Sequence, residues 1–106
     1  MSFLWEPKDP DEVYEYQHDW GPRLLVHGVD AGDTIRLSND PDATKRPSIL
    51  VESGDVVLDA IVVVPGTAKI KYWLSGGTVK SKMVATIWTA QGRSYQESFV
   101  LPIKER

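Results

Sequence analysis

The sequence feature that most constrains the fold is a series of short runs rich in Val, Ile, Thr and aromatic residues, separated by Gly, Pro, Asn and Asp. Such runs are typical of β-strands, and the separating residues are typical of turns. No window keeps apolar residues at helical spacing between recognisable start and stop signals. Because the runs recur at intervals of roughly 8 to 15 residues, the pattern predicts an all-β sandwich with little helix.

Alternation within the runs predicts which side chains face the core, because successive residues of a strand point to opposite faces. The dense β-branching of "VVLDAIVVV" instead predicts a strand buried on both faces. "QGR" predicts a hairpin turn, and "LSGG" predicts a strand end at which backbones approach closely. Ile35 and Leu37 are predicted to point inward, and Tyr72, Leu74, Met83 and Ile87 are predicted to build the core. The residues predicted to share one face of their strand are Tyr14, Tyr16, His18 and Trp20, then Ala68 and Ile70 with Tyr72 and Leu74, then Ala85 with Met83 and Ile87, and finally Tyr95, Phe99, Leu101 and Ile103.

A length of 106 residues is enough for one domain with one core. Pro7 and Pro10 lie in the first dozen residues and disfavour both helix and central strand there. We therefore expect an extended N-terminal arm over residues 1–12 and a β-sandwich domain over residues 13–106. Phe3, Leu4 and Trp5 make the arm a candidate for docking on a neighbouring protein.

Composition argues against several classes of protein. The absence of cysteine excludes disulfides, thiolate zinc sites and cysteine catalysis. The net charge of −3 gives no reason to expect nucleic-acid binding, and no apolar run is long enough to predict a membrane span or a secretory signal. Six acids and one lysine lie before residue 20, whereas seven bases and two acids follow residue 68. These complementary ends predict attraction either within one sandwich or between subunits.

No motif predicts catalysis, a cofactor or a metal. His18 and His27 are not spaced as a helical metal-binding pair, and the acidic runs "DPDE" and "NDPD" lack the pattern of a calcium-binding loop. No serine lies in a nucleophile elbow, and "LSGG" lacks the lysine of a phosphate loop. We therefore expect a protein that is not an enzyme and has no cofactor.

Four tryptophans are more than a small sandwich core usually holds with every indole N–H satisfied. Exposed tryptophan with nearby arginine is typical of protein interfaces, although a carbohydrate-binding module also stacks sugars on tryptophan. A third interpretation places all four rings in the core or at its rim. The candidate partner-binding residues are Phe3, Leu4, Trp5, Trp20, Arg23, Trp73, Trp88 and Arg93.

Several short motifs, spread along the chain in a fixed order, resemble one family. They are "KDPDEV.EY..DW..RL" from Lys8 to Leu24, "GDTI" from Gly32, "WLSGGT" from Trp73, "T.QGR" from Thr89 and the final "KER". Together they resemble the small structural proteins of tailed bacteriophages and prophages that are described as fiber-tail adaptors. The segment from Asn39 to Thr67 departs from that pattern.

The resemblance implies a single immunoglobulin-like β-sandwich in the virion, with no enzymatic activity or cofactor. It implies contacts with other phage tail or fibre proteins, and with further copies of the chain in a homo-oligomer such as a ring. It also implies a location in the tail region of the particle, with assembly in the host cytoplasm. Neither a nucleic acid nor a membrane is implied as a partner.

Overall fold

A computed structural model of the chain describes residues 2–9, 11–26, 34–64 and 67–103. The turn predicted at "GVDAGD", like His27, lies outside these residues. One short helix, α1 (Gly21–Val26), and one 3-10 turn (Ala43–Lys45) accompany the strands of the described chain. The strands are β1 (Ser2–Leu4), β2 (Tyr14–Asp19), β3 (Ser48–Ser53), β4 (Val56–Val63), β5 (Lys69–Gly76), β6 (Ser81–Trp88) and β7 (Ser94–Leu101).

The strands form two sheets that pack face to face. Sheet I has the order β1-β7-β6-β3, and sheet II has the order β2-β5-β4. All neighbouring pairs are antiparallel except β1 and β7, which run parallel. The prediction of an all-β sandwich is therefore confirmed.

The core lies between the sheets and follows the alternation of the strands. In β5, Ile70, Tyr72 and Leu74 are fully buried, while Lys69 is exposed. In β6 and β7 the buried positions likewise alternate with more accessible ones. The inward-facing residues predicted for these three strands are confirmed as buried or partly buried core residues.

Glycines mark two places where the chain passes from one sheet to the other. Gly54 has φ +94° between β3 and β4, and a Cβ there would lie 2.7 Å from the Cα of Ser81. Gly77 has φ +92° after β5, and a Cβ there would lie 2.9 Å from Cδ1 of Ile103. Both positions have a left-handed backbone, and at Gly54 a Cβ would also collide with the backbone of Ser81. The interpretation of the Gly-Gly pair as a strand end is confirmed, since β5 ends at Gly76. The atoms nearest to Gly77 belong to the side chains of Ile103 and Val56, so the predicted close approach of backbones is not seen there.

Residues 2–9, within the segment predicted as an arm, lie against the sandwich. Phe3 pairs with Phe99 in the parallel ladder, and the backbone N–H of Trp5 donates to the carbonyl of Val100 at 3.0 Å. Lys8 is only 1% exposed, and its Nζ donates to the carbonyls of Asp9 and Gly76, both at 2.7 Å. In this structure the segment supplies an edge strand of sheet I, and the domain boundary at residue 12 stays a prediction.

Aromatic rings from both sheets fill the end of the core next to this segment. The Trp5 ring stacks on Tyr16 of sheet II at 4.8 Å and on Phe99 of sheet I at 4.2 Å between centroids. Trp20 is fully buried, and its Nε1 donates to the Tyr72 hydroxyl at 3.3 Å. Burial raises the pKa of that hydroxyl above its ordinary value, so Tyr72 stays protonated and polar at neutral pH.

Two details predicted from the sequence are wrong. β4 is not buried on both faces, because it lies at the free edge of sheet II and leaves Val57 54% and Val62 43% exposed. Leu37 does not point inward with Ile35 but is 47% exposed. The chain turns there instead of continuing as a strand, and the N–H of Asp40 donates to the Leu37 carbonyl at 3.1 Å.

The aromatic packing gives a matched pair of substitutions on neighbouring residues. We expect Trp5→Ala to lower the free energy of unfolding by about 3 kcal/mol, because it empties the space between Tyr16 and Phe99. Leu4→Ala should change it by less than about 0.5 kcal/mol, because Leu4 is 74% exposed. Urea unfolding followed by far-ultraviolet circular dichroism measures both values. Equal losses for the two variants would contradict this packing.

Candidate partner-binding surface

A shallow pocket opens where β1, β2, α1 and β7 meet, and it contains two of the predicted partner-binding residues. Its volume is about 280 Å³. It is lined by Phe3, His18, Asp19, Pro22, Arg23 and Glu97, and we call it the Phe3–Arg23 pocket. Phe3 reaches it because the parallel pairing with β7 turns this residue inward and leaves Leu4 on the outer face.

An ion pair between helix α1 and strand β7 forms one wall of the pocket. Nη1 of Arg23 donates to Oε1 of Glu97 at 2.7 Å, and the side chain of Glu97 is only 10% exposed. The guanidinium carbon also lies 5.6 Å from the centroid of the Tyr95 ring, which favours a cation there. Nε of Arg23 is buried and has no hydrogen-bond partner in the described part of the chain. The wall therefore combines a fixed charge pair with one unused donor.

His18 forms the floor of the pocket among aromatic rings. Its ring contacts Phe3 at 4.7 Å, Trp20 at 5.0 Å and Phe99 at 5.0 Å between centroids, each with edge-to-face geometry. Burial lowers the pKa of His18 below its ordinary value, although the negative charges of Glu97 and Asp19 oppose the shift. We therefore expect His18 to be neutral at pH 7, so that this floor is aromatic and carries no charge.

Two predicted partner-binding residues, Trp20 and Trp5, pack within the sandwich. Trp20 is fully buried in the core, so the prediction of a surface position for it is wrong. Trp5 is partly buried and held between Tyr16 and Phe99, so most of its ring contacts this chain. Alternation could not separate these rings from surface rings, because it does not tell which face of an edge segment meets the second sheet.

The remaining candidates are spread over both outer faces and one turn. Trp73 is half-buried on the outer face of sheet II, opposite Ala60 of β4. Trp88 is half-buried on the outer face of sheet I, where Nζ of Lys45 lies 3.5 Å above its ring. Arg93 is exposed in the β6–β7 turn, and its Nη1 donates to Oε1 of Gln91 at 2.8 Å. Of the predicted partner-binding residues, Phe3 and Arg23 are the two that line the Phe3–Arg23 pocket.

The tryptophans do not form a shared stacking platform for a sugar. Trp20 is buried, Trp5 lies between the sheets, and Trp73 and Trp88 lie on opposite outer faces. A carbohydrate-binding module that uses several rings needs them exposed and roughly coplanar. Nothing in this arrangement supports that alternative.

The described residues also bear on metal sites and membrane-spanning helices. They contain no group of three or more His, Cys, Asp or Glu side chains placed to hold a metal ion. They also contain no helix long and apolar enough to cross a membrane.

Sequence reasoning missed the pocket residues His18 and Glu97, although both carry a signal. Glu97 occupies an inward position of β7 between Tyr95 and Phe99, where an acid needs a cationic partner. His18 shares the aromatic face of β2 with Tyr16. Polar residues at inward positions of two facing strands, here His18 of β2 and Glu97 of β7, indicate a site between the sheets, but the sequence does not tell which strands face each other.

The shifted pKa of His18 predicts how stability depends on pH. The unfolded chain binds this proton more readily than the folded chain, so the free energy of unfolding should fall as the pH drops below about 6.5. His18→Gln should reduce that fall between about pH 7.5 and 5.5, where the carboxylates remain ionised. Urea unfolding across this range measures the effect, and His27 is the same in both proteins. A steeper fall in the variant would contradict a buried neutral His18.

Comparison with known proteins agrees with this architecture. The family Gp77, described as podophage GP4 fiber-tail adaptor protein gp77, matches residues 8–102. No match is found among curated proteins. The family match covers almost the whole described sandwich, from the buried Lys8 to the end of β7. This chain therefore belongs to the Gp77 family of podophage GP4 fiber-tail adaptor proteins.

Proposed function

We propose that this chain is a non-enzymatic virion protein of a phage or prophage that joins tail and fibre components through protein–protein contacts. The observation that carries the proposal is the family match over residues 8–102. A rigid two-sheet sandwich is well suited to such a role, because its faces, edges and turns offer several separate contact surfaces. The chain would be made in the host cytoplasm and incorporated in the tail region of the particle.

We further propose that the side of the sandwich formed by β1 and the Phe3–Arg23 pocket contacts a tail or fibre protein. Leu4 is 74% exposed and Phe3 is 37% exposed, so adjacent residues present one apolar side chain outside the pocket and one at its wall. The neighbouring Arg23–Glu97 pair supplies polar groups at the rim. An apolar centre with a charged rim is the usual composition of a protein interface.

The strand order supports the finer assignment of an immunoglobulin-like sandwich. When the seven strands are lettered A to G along the chain, the sheets read A-G-F-C and B-E-D. The pairings among strands B to G are those of the immunoglobulin fold, which groups B, E and D on one sheet and C, F and G on the other. Strand A pairs with strand G here and is an edge strand of the sheet that contains F and C.

We also propose that copies of the chain associate, as in a ring, so that many modest contacts act together. Among the described residues, one ion pair joins the acidic N-terminal part of the sequence to the basic C-terminal part, Lys71 with Glu15 at 3.4 Å. Some other charges of these two parts are exposed, and Lys82 of β6 is one example. Such charges are available for contacts between subunits as well as within one.

Binding to neighbouring tail proteins tests the proposal directly. We expect the purified chain to bind at least one tail or fibre protein encoded beside it, and Leu4→Asp to weaken that binding at least about tenfold. Val79→Asp is the matched control, because Val79 is also exposed but lies in the β5–β6 connection. Calorimetry or co-sedimentation measures the affinities.

Two outcomes would contradict this account in different ways. If the unmodified chain binds none of the tail and fibre proteins, the adaptor role is wrong. If it binds them and Leu4→Asp binds equally well, the role stands but the contact lies elsewhere. Far-ultraviolet circular dichroism of each variant checks that the fold is kept.

A further inference from the structure

The free edge of sheet II is unusual in length and composition. The edge strands of the two sheets are β1, β2, β3 and β4, and β4 is the longest with eight residues, "VVLDAIVV". It carries one charged residue, Asp59, and no proline. Natural sheets usually protect an exposed edge with charges, prolines or a very short strand, because an open edge pairs with other strands. β4 has one irregularity, between Leu58 and Ala60, and is otherwise an open apolar edge.

The pattern of buried and exposed side chains along β4 is the same from its N-terminal end as from its C-terminal end. Val56 and Val63 at the ends are buried, Val57 and Val62 are exposed, and the pair at the centre is exposed. Leu58 and Ile61 are both half-buried. This symmetry exists because the irregularity shifts the alternation by one residue at the middle of the strand. Without this irregularity, strict alternation would reverse the inward and outward positions in one half of β4 and would remove the symmetry.

We propose that β4 pairs with β4 of a second copy of this chain, antiparallel and around a two-fold axis between Asp59 and Ala60. In that register Val57 lies opposite Val62 of the other copy, and every inward residue lies opposite an inward residue. The two copies then share one continuous six-stranded sheet with the order β2-β5-β4-β4-β5-β2. A two-fold contact of this kind is isologous and closes after two copies.

Charge favours the symmetric pairing over pairing with β2. In the two-fold register Asp59 lies opposite the small neutral Ala60, so the two carboxylates are not directly opposed. Pairing β4 with β2 of another copy would instead bring Asp59 to a strand that carries Glu15 and Asp19. Like charges opposite each other destabilise a sheet pair. The symmetric pair therefore has a lower electrostatic cost than the pairing of β4 with β2.

The β4 edge is separate from the proposed contact with tail or fibre proteins. β1 and β2 adjoin at the Phe3–Arg23 pocket, whereas β3 and β4, joined by Gly54 and Asp55, form the other side of the sandwich. The inference deepens the proposed self-association and does not depend on the adaptor role. A symmetric pair uses one surface of each copy, so a ring would need a second, different contact.

Introduced cysteines test the register, because the chain has none of its own. Opposed residues of an antiparallel pair have Cα atoms about 5 Å apart, which suits a disulfide. We expect a mixture of tagged Val57→Cys and untagged Val62→Cys to form mixed disulfide dimers under mild oxidation. Each variant alone should form few, because positions 57 of the two copies lie about 14 Å apart along the strands, four pairing steps once the irregularity is counted. Leu50→Cys on β3 is the exposed control.

A charge exchange on the same positions tests the contact in solution. Light scattering across a concentration series should give twice the 11.9 kDa of one chain for the unmodified protein. Val57→Lys with Val62→Lys should weaken association on the order of a hundredfold, because like charges then face each other. Val57→Lys with Val62→Glu should restore it, since each introduced lysine faces an introduced glutamate.

Each result supports or overturns the proposal. A monomer at all concentrations overturns it, and so does dimer formation that Val57→Lys with Val62→Lys leaves unchanged. Cross-linking of Val57→Cys alone, as fast as in the mixture, would show a different register. A chain that pairs through β4 but binds no tail protein would keep this inference and contradict the adaptor role, so the two failures are distinguishable.

Discussion

The packing of Trp5 between Tyr16 and Phe99 is the contact on which this end of the sandwich depends. One ring from the N-terminal segment touches a residue of each sheet, so it fixes both the sheet separation and the position of β1. The Lys8 amine adds a second contact between the N-terminal segment and the sandwich, because it donates to the carbonyl of Gly76. Burying this amine is favourable only because two carbonyls replace its water, and the contact holds the segment against the β5–β6 connection. The Phe3–Arg23 pocket exists because β1 is held there.

The two sides of the sandwich differ in the chemistry that they present. The side with β1 and β2 combines aromatic rings, an uncharged histidine and an ion pair between α1 and β7. The side with β4 presents an open backbone edge with aliphatic side chains and a symmetric pattern of exposure. An adaptor needs at least two surfaces that recognise different neighbours, and this division supplies them without any change in the fold. The turn and face residues Arg93, Trp73 and Trp88 remain candidates for further contacts.

The sequence predicted the class of fold and most of the core, because alternation is a local property of each strand. Tyr72, Met83 and Phe99 could be placed in this way. The positions of edge strands could not be predicted, since they depend on pairing between distant segments. The sequence predicts that β4 is buried on both faces because β-branched residues are equally typical of a buried strand and of an interface. It offers Trp20 as a candidate partner-binding residue because the partner of its indole, the Tyr72 hydroxyl, is 52 residues away.

Hydrogen exchange of the backbone amides, measured on the chain alone at low and high concentration and then with its tail or fibre partner, tests the central claim of two separate contact sides. The account predicts that raising the concentration protects β4, and that adding the partner protects β1 and the residues around the Phe3–Arg23 pocket. Protection of the same strand in both experiments would contradict it. So would protection confined to β5, β6 and β7, the strands whose neighbours are already in place.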